Sequence, residues 1–289
     1  MNNLATIGCS FTWGQGLYFY DIKGDGTIKD RHDWSASKLR NWVRKHNLNA
    51  MDWKIFNDPK TYLMNDRHMF VKDLYRYSNL LAKELGCNLI TKSENGGNNK
   101  LIHDWLNMLY CSKEPLKYLV VQLTEPLRDL TSDSETTQEK FRVDMEGNIV
   151  TSDGIVSEKT FNEFYEYYNK EYLVPIFNIC KEFEERDNTK VCVFTWPREI
   201  YEYIPEDLRV DFNYDGKVFN SLEDLFEYDE LTMLSGELKE LYGEKVKDNH
   251  PSRKTHDLIF TEILGKCNIV RLGKKSNEII SKSLINRLT

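Results

Sequence analysis

Several common features are missing from this chain, and each absence narrows what it can do. No stretch of its 289 residues stays apolar over the ~20 residues needed to cross a bilayer. Met1 to Gly16 has neither a basic start nor a long apolar segment of the kind that directs export, so a soluble, cytoplasmic protein without a membrane partner is expected. Positive charge is not in excess either. Lys and Arg number 39 against 46 Asp and Glu, for a formal net charge of -7. No broad cationic field therefore attracts phosphate backbones, and nucleic acid is not an expected partner. The six histidines lack metal-ligand spacing, His250 and His256 not being one helical turn apart, so no metal or other cofactor is expected. The six cysteines, Cys9, Cys87, Cys111, Cys180, Cys192 and Cys267, contain no CxxC pair and suit reduced, buried thiols. Internal repeats and low-complexity tracts are absent too.

What is present is enough for one sizeable core: 40% hydrophobic and 12% aromatic content over 1–289 fits a single α/β domain with insertions. Five short apolar runs read as strands, Leu4 to Ile7, Cys87 to Ile90, Tyr118 to Leu123, Val191 to Thr195 and Asn268 to Leu272. Between them Phe70 to Leu85 (ending at Gly86, a natural C′ residue), Leu101 to Tyr110, Phe161 to Phe183 and His256 to Leu264 have helical periodicity. Strands alternating with helices predict a doubly wound, flavodoxin-like three-layer sandwich around a parallel sheet of about five strands. Two polar stretches, 18–69 and 125–159, interrupt the alternation and read as insertions. Each carries a hairpin signal, Lys23-Gly24-Asp25-Gly26 in the first and Met145-Glu146-Gly147-Asn148 in the second. Pro197 to Val246 reads as turns mixed with short helices.

In such sheets ligands gather beyond the carboxyl ends of the strands, and three polar constellations fall near or after those ends. Gly8-Cys9-Ser10-Phe11-Thr12 follows the first strand; it can expose a serine hydroxyl beside backbone N–H donors, or simply satisfy a turn and a helix cap. Glu94-Asn95-Gly96-Gly97-Asn98-Asn99 precedes a helix, where paired glycines admit a ligand and the helix start offers free N–H groups; plain turn chemistry accounts for it equally. Asp248-Asn249-His250-Pro251-Ser252 sets a histidine before a proline, which holds it extended, and Ser252 reads as the N-cap of the following helix.

In order and placement these blocks resemble the SGNH (GDSL-like) hydrolase superfamily. The resemblance implies Ser10 as nucleophile, His250 as its base and Asp248 as the carboxylate that orients the imidazole. It implies an oxyanion hole from Ser10, Gly96 and Asn99. Two departures stand out. The family pattern places an Asn after the third strand, where this chain reads Gln122-Leu123-Thr124-Glu125-Pro126-Leu127-Arg128, so Thr124 or Arg128 would have to substitute, or the hole rests on the other donors. Asp248 also precedes His250 by two positions where three is common.

The chemistry implied is two-step acyl transfer, with water or an alcohol releasing the acyl group. Both insertions would rise over the site, which favours a small acyl group such as acetyl on a small-molecule or carbohydrate alcohol. The alternatives are an O-acyltransferase or a non-catalytic binding or structural module on the same scaffold. Trp34, Trp42, Trp53, Tyr62 and Phe70 can stack on sugar rings or form the first insertion's own core. Asp21 to Gly26 reads as a hairpin turn and not a calcium loop, since Lys23 and His32 occupy ligand positions.

Overall fold

The computed structural model describes residues 2–14, 16–20, 72–94, 96–132, 141–143, 148–151, 158–242 and 249–267. Four strands, β1 (Asn3–Gly8), β2 (Asn88–Ser93), β3 (Tyr118–Leu123) and β6 (Lys190–Thr195), form one sheet in the order β2-β1-β3-β6, every pairing parallel. Two short antiparallel pairs accompany it, β4 (Phe141–Val143) with β5 (Ile149–Thr151) and β7 (Phe212–Tyr214) with β8 (Lys217–Phe219). The helices are α1 (Ser10–Trp13), α2 (Tyr77–Leu85), α3 (Asn99–Ser112), α4 (Leu127–Ser132), α5 (Glu158–Tyr168), α6 (Val174–Asp187), α7 (Leu222–Tyr228), α8 (Leu234–Tyr242) and α9 (Arg253–Lys266). The result is a mixed α/β fold with a parallel core. None of the described helices is long and apolar enough to cross a membrane.

Strand residues alternate between two apolar clusters because successive side chains leave opposite faces of a sheet. Ala5, Ile7, Leu119, Val121, Val191 and Val193 join the cluster built with α3, α5 and α6. Leu4, Tyr118, Val120, Cys192 and Phe194 join the other, built with α2, α7 and α9. Helices on both faces explain why β3 is buried along its whole length and reads as a continuous apolar run. Ile102 and Leu106 of α3 are fully buried, which stabilises the packing by roughly 1.5–3 kcal/mol each. Gly86 ends α2 in the left-handed region, as its position predicted.

Four features depart from the sequence reading. β2 runs past Ile90 through Thr91, Lys92 and Ser93; as an edge strand it is only half-buried, and polar residues are tolerated there. The fifth apolar run, 268–272, lies outside the described residues, so four strands are described where about five were expected. Among the described residues, the sheet continues beyond β6 as a parallel bridge between Val193 and Arg209. The stretch after Pro197 contains the β7–β8 pair, turning at Asp215 and Gly216, both at positive φ. Finally, the long periodic segment 158–187 is not one α-helix: a π-turn, Asn169–Leu173, separates α5 from α6 immediately before Pro175. Proline has no N–H to give the carbonyl four residues back and its ring crowds that carbonyl, so the wider turn relieves both problems. The Met145–Asn148 signal agrees with the β4–β5 pair that flanks it. Asp21 to Gly26, His32, Trp34, Trp42, Trp53, Tyr62 and Phe70 lie outside the described residues.

Candidate active site

The chain leaves β1 for β2 on one side and later for β3 on the other, so the crevice beyond the carboxyl end of β1 is where such sheets place functional groups. α1 starts there directly. Cys9 is extended, Ser10 opens the helix and Gly14 closes it in the left-handed region. Below this turn lies the buried side chain of Gln122. Its Oε1 accepts the Cys9 N–H at 3.2 Å and the Thr12 hydroxyl at 3.1 Å, while its Nε2 donates to the Leu123 carbonyl at 3.0 Å. The Cys9 sulfur lies 3.2 Å from Nε2. Tyr77 extends the chain, its hydroxyl 2.9 Å from Thr12 Oγ1. These bonds cross the space a side chain at position 8 would fill. A Cβ there would stand 2.2 Å from Thr12 Oγ1 and 2.8 Å from Gln122 Oε1, so glycine is required.

Ser10 is 1% exposed, and its Oγ lies 3.0 Å from Nε2 of His250, 240 residues away in sequence. Phe11 stands edge-on to the His250 ring at 5.3 Å and to Trp196 at 4.7 Å, and Trp196 leans on Phe226 at 5.1 Å. This aromatic wall borders one side of the serine.

The segment that presents His250 is anchored along its backbone. The His250 carbonyl accepts the Leu234 N–H at 2.8 Å, Pro251 bridges Met233, and Ser252 donates its N–H to the Thr232 carbonyl at 2.9 Å. The Ser252 hydroxyl then caps α9 by accepting the Thr255 N–H, as the sequence predicted. Buried Glu237 completes the anchor, accepting from Tyr20 OH at 2.6 Å, from Arg253 Nη2 at 3.0 Å and from the Lys254 N–H at 3.3 Å. Burial and the Glu237 carboxylate hold the Tyr20 hydroxyl well above its ordinary pKa, which keeps it a donor. Asp248 lies outside the described residues.

The glycine block sits beside the Cys9–Gly14 turn, with Gly8 in register opposite Ser93 of β2. Gly97, not Gly96, makes the close approach: a Cβ on Gly97 would lie 3.6 Å from Cys9 Cα and 3.2 Å from the Glu94 carbonyl. Gly96 is exposed at positive φ, and nothing comes within 4 Å of its Cβ position. A cleft of about 300 Å³ opens here, lined by Glu94, Gly96, Gly97, Asn98, Lys100 and Asp104.

Asn99 requires a correction. Its Nδ2 donates to the Thr124 carbonyl and to Tyr168 OH, both at 2.8 Å, and its Oδ1 accepts the Thr124 N–H at 2.9 Å. With both amide hydrogens committed, Asn99 clamps the end of β3 and has none left for an oxyanion. The helix start is also already occupied. Buried Asp129 accepts the N–H groups of Asn99 at 3.3 Å and Lys100 at 3.0 Å, and the Tyr168 hydroxyl as well, while Asn98 takes the Leu101 N–H at 2.8 Å. The free donors expected at α3 are thus filled by the protein's own carboxylate. Arg128 braces the glycine loop, donating to the Gly97 carbonyl at 3.4 Å. Thr124 is fully buried, and its hydroxyl has no hydrogen-bond partner among the described residues.

Comparison with protein-family models, with curated proteins and with solved structures returns no match.

Sequence reasoning missed Gln122, Asp129, Tyr168 and Glu237 as parts of the site. Gln122 left a usable signal: a lone amide inside an otherwise apolar buried strand needs partners, and the nearest loop supplies them. The described residues contain no group of three or more His, Cys, Asp or Glu placed to hold a metal ion.

Proposed function

We propose that the chain is a serine esterase of the SGNH type, with Ser10 as nucleophile and His250 as general base. The observation that carries this reading is the 3.0 Å separation of Ser10 Oγ and His250 Nε2, at the carboxyl end of the central strand. That distance lies within the range at which a base takes a hydroxyl proton. The sheet order is read as the core of a doubly wound, flavodoxin-like three-layer sandwich, the scaffold on which the three sequence blocks resemble that superfamily.

In the proposed reaction His250 accepts the Ser10 proton as Oγ attacks the ester carbonyl. The tetrahedral oxyanion forms near the first turn of α1, where the Ser10 N–H has no carbonyl one turn earlier in the helix to serve. Thr124 contributes its hydroxyl in place of the family's asparagine. His250 then passes the proton to the departing alcohol, and water, activated by the same imidazole, frees the acyl group. Asp248 is assigned to orient the imidazole, as the resemblance implies.

Close packing around Ser10 favours a small acyl group such as acetyl. The cleft at the glycine loop, whose Gly97 packs near Cys9 and whose walls carry Glu94, Lys100 and Asp104, suits a polar alcohol such as a carbohydrate. An alcohol acceptor in place of water would make the same site an O-acyltransferase. A non-catalytic module on this scaffold is the second reading, favoured by the commitment of Asn99 to Thr124 and Tyr168.

A fluorophosphonate probe separates the two. Labelling at Ser10, lost in Ser10→Ala, together with turnover of p-nitrophenyl acetate above that of longer esters, is the expected result. No labelling and no turnover in a folded protein would overturn the esterase reading.

A further inference from the structure

Two of the six cysteines meet far from Ser10, at the opposite edge of the sheet. Cys192 is buried in mid-β6, among the residues that face α9. Cys267 follows the last turn of α9 and is half-buried. Separated by 75 positions in sequence, their sulfurs lie 4.0 Å apart. Cys267 also lines a pocket of about 420 Å³ at the amino-terminal ends of the strands, in company with Lys117, Asp187 and Lys190. Cys267 therefore borders an opening among the described residues, and Cys192 lies directly behind it. A disulfide needs the sulfurs to close by about 2 Å. Rotation of the Cys267 side chain, at the end of α9, supplies that movement.

We propose that Cys192 and Cys267 are a peroxide-sensitive dithiol that closes to an intramolecular disulfide. The Cys267 thiolate attacks one oxygen of hydrogen peroxide, the O–O bond breaks, and Cys267 becomes a sulfenic acid as hydroxide leaves. Cys192 sulfur then attacks the sulfenic sulfur, the S–O bond breaks, and the oxygen departs as water with the Cys192 proton. Two thiols and one peroxide give one disulfide and two waters; both sulfurs are oxidised and both peroxide oxygens reduced. The order follows from the surroundings. Cys267 is half-buried and borders the pocket, so peroxide meets it first, and Lys190 and Lys266 lie near enough to favour its thiolate, while Cys192 is buried behind it.

This assignment is independent of the esterase reading. Its effect is mechanical, since the bond would tie the end of α9 to β6 and close a long loop. The test uses the full-length chain in a Cys111→Ser background, which removes the exposed thiol. After hydrogen peroxide treatment, non-reducing peptide mass spectrometry should show a Cys192–Cys267 cross-link with loss of two hydrogens. The thermal midpoint should rise by about 5 °C and return with dithiothreitol. Cys267→Ser should abolish both changes and keep the reduced protein's midpoint and ester turnover. A Cys192 thiol still free for alkylation while Cys267 is carried to sulfinic acid, or a cross-link to a different cysteine, would overturn the proposal. Both readouts come from the Cys111→Ser protein itself, so a poorly folding Cys192 variant does not remove the test.

Discussion

Gln122→Leu removes one carboxamide from beneath the Cys9–Gly14 turn while nearly preserving side-chain size. In the native protein that group satisfies the Cys9 N–H and the Thr12 hydroxyl in a fully buried place. Thr12 can turn its proton toward Tyr77, but the Cys9 N–H has no second acceptor on the leucine. A buried donor left without a partner costs about 1–3 kcal/mol, and disturbing the Thr12–Tyr77 pair adds about 1 kcal/mol more. We therefore expect a loss of about 2–4 kcal/mol in urea unfolding, with an unchanged m-value because the surface exposed on unfolding is the same. The Cys9 N–H precedes Ser10 by one residue, so relaxation of that bond moves Oγ relative to His250. On the esterase reading, a displacement near 1 Å should lower kcat on p-nitrophenyl acetate by about 100-fold. A stability change within about 0.5 kcal/mol of wild type would refute the role given to this amide.

Thr124→Val replaces a buried hydroxyl without a partner by a methyl group. Unfolding free energy should hold or rise by up to about 1 kcal/mol, while kcat on p-nitrophenyl acetate falls at least about 10-fold with little change in KM; an unchanged kcat removes Thr124 from the oxyanion site. Glu237→Ala strips Tyr20, Arg253 and the Lys254 N–H of their shared acceptor and should cost about 3–5 kcal/mol by chemical denaturation, with Glu237→Gln milder. His256, stacked on Tyr77 and fully buried, is pushed by burial, and then by the charge of Arg76, from its ordinary 6.5 down to about 3. The unfolded chain takes up this proton below pH 6.5 and the folded chain does not until about pH 3, so the stabilisation is fully present above 6.5 and drains away as pH falls through that window. The loss approaches about 1.4 kcal/mol per pH unit, and His256→Gln should flatten the profile by about one proton; an unaltered slope would show that His256 does not titrate there.

Much of the fold was legible because burial leaves a periodic trace. β1, β3 and β6 announce themselves as apolar runs since both their faces are covered, and Gly86 and Ser252 mark helix ends by their own backbone chemistry. The Ser10–His250 pairing came from the order of three short blocks, each ambiguous alone. Asn99 could not be read correctly, because an asparagine at a helix start has the same local sequence whether it faces a ligand or grips a strand. Only the three-dimensional neighbours Thr124 and Tyr168 decide. The Arg209 bridge was equally invisible: it consists of two backbone hydrogen bonds to Val193, which no side-chain pattern encodes. The β7–β8 pair did leave a trace in its Asp215-Gly216 turn, and the π-turn left one in Pro175.

The 240 residues between Ser10 and His250 also set a schedule for synthesis. At about 5–20 residues per second, His250 leaves the ribosome roughly 10–50 s after Ser10. Throughout that interval the Ser10 turn is tethered to a growing chain without the His250 imidazole, and on the esterase reading the hydroxyl stays as unreactive as any other serine. Because the 232–234 segment that holds His250 in place is itself made late, the two halves of the site meet only when the last described helix docks against the first strands. On the esterase reading, reactivity is thus postponed until His250 docks, and a chain truncated anywhere before His250 is expected to be inert rather than partly active.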